Sequence, residues 1–84
     1  MVNKNTALEE LFDIVVSTLN DVEEGEIFIV KELFRGFEWN RIPKSFRTKL
    51  GAMVLVFANS DEGSFLIEPL GKTPQNQQIY KKLK

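Results

Sequence analysis

The chain has no cysteine and no histidine. Their absence excludes disulfides, a thiol nucleophile, zinc sites of the Cys/His kind and the usual general base near neutral pH. With only 3 prolines and 5 glycines, spread along the sequence, no low-complexity linker divides the chain. Long apolar runs are missing too: "AMVLVFA" at 52–58 falls far short of the ~20 residues that a bilayer-spanning helix needs. The start, "MVNKNTALEE", turns acidic at once and lacks the basic residues and apolar block of a signal peptide. The expected location is therefore cytoplasmic, away from membranes. No paired carboxylates, nucleophile–base set, phosphate-cradling glycine loop or metal-ligand spacing is present, so no enzyme activity, cofactor or metal is expected.

What is present fits one small folded unit. Eighty-four residues leave no room for a second core, so a single domain over 1–84 is expected, with residues 1–5 and 83–84 frayed. Charged residues make up 27% of the chain and apolar ones 43%, the balance of an ordinary globular domain. The net charge of −1 hides an asymmetry. Residues 1–26 carry one lysine against seven acids, a balance of −6, and residues 27–84 carry ten basic side chains against five acids, a balance of +5. Charge split in this way points to an anionic partner on one side of the molecule.

Thr6-Ala7-Leu8-Glu9 reads as a capping box that opens a helix. Leu8, Leu11, Phe12, Val15 and Leu19 follow at helical spacing. "EIFIV" at 26–30 is short, β-branched and aromatic, and predicts a strand. "KELFRG" predicts a helix of about two turns, buried through Leu33 and Phe34 and stopped by Gly36. Pro43 suits the first turn of a third helix running to about Ala58, with Phe46, Leu50, Met53, Val54 and Phe57 on one face. "SFLIEPL" at 64–70 and "NQQIYKK" at 76–82 read as two strands joined by "GKTPQ". The order helix-strand-helix-helix-strand-strand is that of an α+β winged helix-turn-helix. A generic small α+β domain has the same elements.

The stretch "FRGFEWNRIPKSFRTKLG" at 34–51 carries the chemistry. Arg41, Lys44, Arg47 and Lys49 fall in an acid-free segment that extends from 39 to 60. On the third helix, Lys44, Arg47, Thr48 and Gly51 share a face opposite the apolar one, where a helix-turn-helix approaches nucleic acid. The plainer reading is a solvated helix face. The connection from Gly36 to Ile42 reads as seven residues against the usual ~3–4, and this long aromatic turn argues against ordinary groove insertion. Phe37 is expected to fill a gap beside the wing. Trp39, near Arg41 and Lys44, either stacks on an unpaired base or packs in the core. Lys72 and Lys81 extend the basic surface along the hairpin, as do Lys82 and Lys84.

These same stretches, "FIVKELFRGFEWNRIPKSFRTKLG" and "IEPLGKTPQNQQIYKK", resemble a small family of domains of unknown function. That family is carried by mobile genetic elements, phages and plasmids of Gram-positive bacteria. It includes single-stranded-DNA-binding proteins of staphylococcal cassette chromosome elements. The resemblance covers about residues 27–82 and is most specific where "EWNRIP" accompanies "LGKTPQNQQ". It implies a winged helix, no cofactor, a role in element replication with replication proteins as partners, and a hydrophobic pocket unusual for that fold. Carried over residue by residue, it covers Trp39, Asn40, Arg41, Ile42 and Pro43, then Gly71, Lys72, Asn76 and Gln77. The leading expectation is a non-enzymatic binder of single-stranded DNA, through Trp39, Asn40, Arg41, Lys44, Arg47, Lys49, Lys72 and Lys81. The competing ones are a winged-helix regulator of duplex DNA and a protein–protein adaptor with a pocket at Phe37 and Trp39.

Overall fold

The computed structural model describes residues 1–84 as three α-helices and a three-stranded antiparallel sheet, an α+β architecture. Helix α1 spans Leu8–Thr18, strand β1 Ile27–Ile29, helix α2 Gly36–Arg41, helix α3 Lys44–Ala58, strand β2 Ile67–Lys72 and strand β3 Gln78–Lys82. Short 3-10 turns at Leu19–Asp21, Val30–Leu33 and Gly63–Phe65 link them, and none of these is expected from the sequence.

Helix α1 forms because its apolar stripe finds a partner. Leu11, Val15 and Leu19 are buried, and Phe12 meets Phe57 of α3 edge-on at 5.8 Å. The expected capping box does not form. The Thr6 hydroxyl instead accepts the Asn3 N–H at 2.8 Å, and Ala7 occupies the cap position without a side-chain bond. The far end is closed from a distance: the Lys82 ammonium, only 5% exposed, donates to the carbonyls of Leu19 and Val22. That ties the turn after α1 to β3, with the Leu19 carbonyl also accepting the Val22 N–H at 3.2 Å. Gly25, at φ +90°, then turns the chain into β1, and its N–H reaches the Lys82 carbonyl at 2.8 Å.

In the sheet β3 lies between β1 and β2, with Phe28 opposite Tyr80 and Pro69 on the other side of Tyr80. Pro69 is tolerated because β2 is an edge strand, and the pairing is irregular between Pro69 and Lys72. Asn76, at φ 65°, closes the β2–β3 hairpin: its N–H bonds the Thr73 carbonyl at 2.8 Å across Pro74 and Gln75. One core joins these layers, with Leu50, Val54 and Ala58 from α3 packed with the α1 stripe, Ile67 and Tyr80.

The chain's start contributes to this core. Val2, within the segment expected to fray, is buried, with its N–H donated to Glu38 Oε2 at 3.2 Å and its carbonyl held by Arg41 Nη1 at 3.0 Å. At the other end the Leu83 N–H bonds the Leu66 carbonyl at 2.8 Å.

Candidate functional site

The second helix lies later in the chain than its sequence suggests. "VKEL", Val30–Leu33, closes into a tight 3-10 turn because Glu32 Oε1 accepts the Ile29 N–H at 2.9 Å. Phe34 and Arg35 are then extended, and Gly36 begins α2 rather than ending a helix. Glu38 stabilises this start, since Arg35 Nε lies 3.1 Å from its Oε1. The Val2 N–H bond and the Arg35 charge hold its carboxyl below the usual range, against the opposing effect of burial. Ile42, extended before Pro43, stops α2. The expected seven-residue aromatic turn is therefore helix, and the α2–α3 connection is only Ile42-Pro43.

This shift decides the aromatic residues. Trp39 is 9% exposed and packs against Phe34 with ring centroids 5.7 Å apart. It is a core ring, which rules out a freely exposed stacking residue at this position. Phe37, expected to fill a gap, is instead 47% exposed, flanked by the guanidinium groups of Arg35 at 5.5 Å and Arg41 at 4.9 Å. Two positions apart on one helix, Phe37 and Trp39 point to different sides, and the cleft that Trp39 lines does not include Phe37.

Beside Trp39 a cleft of about 560 Å³ runs between α3 and the β2–β3 hairpin. Helix α3 supplies Lys44, Arg47, Thr48, Gly51, Ala52 and Leu55 to one wall. The hairpin supplies Lys72 and the amides Gln75, Asn76, Gln77 and Gln78 to the other. Ile29, Val30, Lys31, Trp39 and Tyr80 complete the lining. Four cations line this space and no acid does. The face shared by Lys44, Arg47, Thr48 and Gly51 in the sequence is thus a wall of a concavity.

Arg47 is the best-fixed of the four. Its Nε donates to the Ile42 carbonyl at 3.1 Å and its Nη2 to the Trp39 carbonyl at 3.2 Å. Its guanidinium carbon stands over the Trp39 ring, 5.3 Å from the centroid. Tyr80, fully buried, stacks on Phe28 at 5.8 Å, and its hydroxyl has no hydrogen-bond partner within the chain. Burial pushes that phenol up to about 12, so it stays a neutral donor at physiological pH.

Not every expected site residue gathers here. Arg41 is committed to Val2 and Phe37, while exposed Asn40 and Lys49 do not line the cleft. Lys81 alternates with Tyr80 along β3 and so faces away from it. Lys31, Gln75, Gln78 and Tyr80 are the additions. Their signal in the sequence is weak: Lys31 depends on where β1 ends, and Tyr80 on strand register. A second, more apolar hollow of about 540 Å³ lies beside β1, lined by Ile27, Ile29, Phe34 and Ile79 among others, and Phe37 lines neither space.

No group of three His, Cys, Asp or Glu side chains stands together, and no helix is long and apolar enough to cross a membrane. No curated protein and no solved structure matches the chain. The family model described as "Domain of unknown function (DUF1413)" matches residues 13–82. Over nearly its whole length, then, the chain belongs to the DUF1413 family.

Proposed function

We propose that this protein is a non-enzymatic binder of single-stranded DNA, acting in the cytoplasm in replication of a mobile genetic element. The fold is read as a winged helix-turn-helix, with α2 and α3 as the motif and the β2–β3 hairpin as the wing. The observation that carries the proposal is the cleft, where Lys31, Lys44, Arg47 and Lys72 meet without an acid. Cations gathered in this way neutralise phosphates and release their counterions. The link to element replication, and to its replication proteins as partners, rests on the sequence resemblance.

The choice of a single strand rests on shape. In a reader of duplex DNA the helix face projects into the major groove, which is ~12 Å wide. Here that face is one wall of a concavity whose other wall is the hairpin at Lys72 and Gln75–Gln78. Such a space receives an unpaired nucleotide more readily than it enters a groove. The short α2–α3 connection favours the second reading, a duplex regulator, because its two residues lie much nearer the ordinary helix-turn-helix turn of ~3–4 than a seven-residue turn does. Fluorescence-anisotropy titration of labelled single strands and duplexes of equal length, at several salt concentrations, separates the two. Tighter binding of the single strand, with affinity falling as salt rises, supports the proposal. Preference for a duplex carrying an inverted repeat, with a dimer footprint, would replace it by the regulator.

A further inference from the structure

We infer that the cleft holds one nucleobase, with the Arg47 guanidinium as its stacking surface and the Tyr80 hydroxyl as a donor to the base's acceptor atoms. This rests on the single-strand reading and states which part of the strand the cleft takes. A site for phosphate alone needs cations and little else. This one has more: an apolar lining from Val30, Leu55 and the Trp39 ring, a row of amides on the hairpin, and a buried phenol without a partner.

Arg47 explains how a buried tryptophan still serves recognition. Two backbone carbonyls and the Trp39 ring fix the guanidinium plane in place. Trp39 lies beside the guanidinium at 5.3 Å, and the half-buried residue also lines the cleft, where a base would meet it on the side away from that ring. Unpaired bases stack on arginine planes as well as on aromatic rings. A plane held before binding loses little freedom when a base arrives. The two N–H groups tied to carbonyls leave others of the five for base or phosphate oxygens.

Tyr80 supplies the second argument. A buried hydroxyl without a partner is costly, and such groups are uncommon in folded chains. Its neutral O–H donates to a carbonyl oxygen or ring nitrogen of a base, atoms that duplex pairing and stacking keep from such a cleft. The phenol lines the cleft yet is sealed from solvent, so a base reaches it only once the side chains over it move aside.

The test compares two labelled strands of equal length, oligodeoxythymidine and the same backbone with abasic sites, against the intact protein. Wild type should bind the base-bearing strand about 5–150-fold more tightly, the range of one stacked base. Arg47→Lys keeps the charge and loses the plane. It should lower affinity for the base-bearing strand several-fold, with the salt slope and the abasic affinity unchanged. Tyr80→Phe removes one oxygen and should lower base-bearing affinity about 2–12-fold, the range of one neutral hydrogen bond, without lowering the melting temperature. Equal wild-type affinity for both strands overturns the base site and leaves phosphate binding standing. So does a loss in both variants that is the same on the abasic strand, or no loss in either. Absence of binding to both strands at low salt sinks the single-strand reading itself.

Discussion

Replacing Trp39 by alanine tests whether its ring is part of the core. The ring is 9% exposed, touches Phe34 and lies under the Arg47 guanidinium. Truncation of a buried Phe or Trp to Ala costs ~3–5 kcal/mol. A chain of 84 residues has in total ~4–13 kcal/mol of stability, at ~0.05–0.15 kcal/mol per residue. In a domain of this size each kcal/mol moves the melting temperature by ~4–8 °C, so the expected fall is ~12–40 °C. Trp39→Phe keeps an aromatic ring beneath Arg47 and should lose much less. Circular-dichroism melts of wild type and both variants measure this. Trp39 is the sole tryptophan, so wild-type emission should also shift to the red in the same transition. A Trp39→Ala variant that melts within ~3 °C of wild type, under one kcal/mol by the same conversion, would refute the packing described for α2.

Two further perturbations test the framework around the cleft. At Gly63 an added Cβ would stand 1.8 Å from the Phe57 carbonyl oxygen, so Gly63→Ala forces the backbone apart. It should destabilise the fold by ~1–3 kcal/mol, the usual cost of overpacking, in a urea titration. Glu38 has its carboxyl held below its ordinary 4.5, so it stabilises the fold above about that pH. That contribution is lost as pH falls through the folded value, and Glu38→Gln should remove this part of the acid dependence in melts at pH 3–6.

Some of this architecture is legible in the sequence because local pattern and tertiary packing agree. The α1 stripe and the run from Lys44 to Ala58 are long and periodic, and both are helices buried on the expected side. The shift of α2 is not legible. "KELFR" followed by Gly36 resembles a helix and its stop, yet Glu32 closes a tighter turn on Ile29, and the long-range bond between Val2 and Glu38 favours a helix from Gly36 onward. Interactions of the same kind draw Val2 into the core, and a local bond to Asn3 diverts Thr6 from its cap. At the site, spacing on α3 brings Lys44, Arg47, Thr48 and Gly51 to one face, because helical geometry alone fixes that relation. It cannot supply the opposite wall. Which hairpin residues face α3 depends on strand register and on the irregular pairing between Pro69 and Lys72, and these set Lys72 and Tyr80 in the cleft while turning Lys81 away.

The central claim is that the cleft, and not scattered surface charge, receives the strand. Its most direct measurement is the salt dependence of single-strand affinity in two triple variants. One removes the cleft lysines, Lys31→Ala, Lys44→Ala and Lys72→Ala; the other removes Lys49, Lys81 and Lys84, none of which lines the cleft. For every phosphate of a single strand that is no longer neutralised, the slope of log affinity against log salt falls by ~0.7, so the cleft variant should lose ~2 if all three lysines pair with phosphates. The second variant, with the same change in net charge, should keep nearly the wild-type slope. Equal losses in the two variants, or a larger loss in the second, would contradict the account.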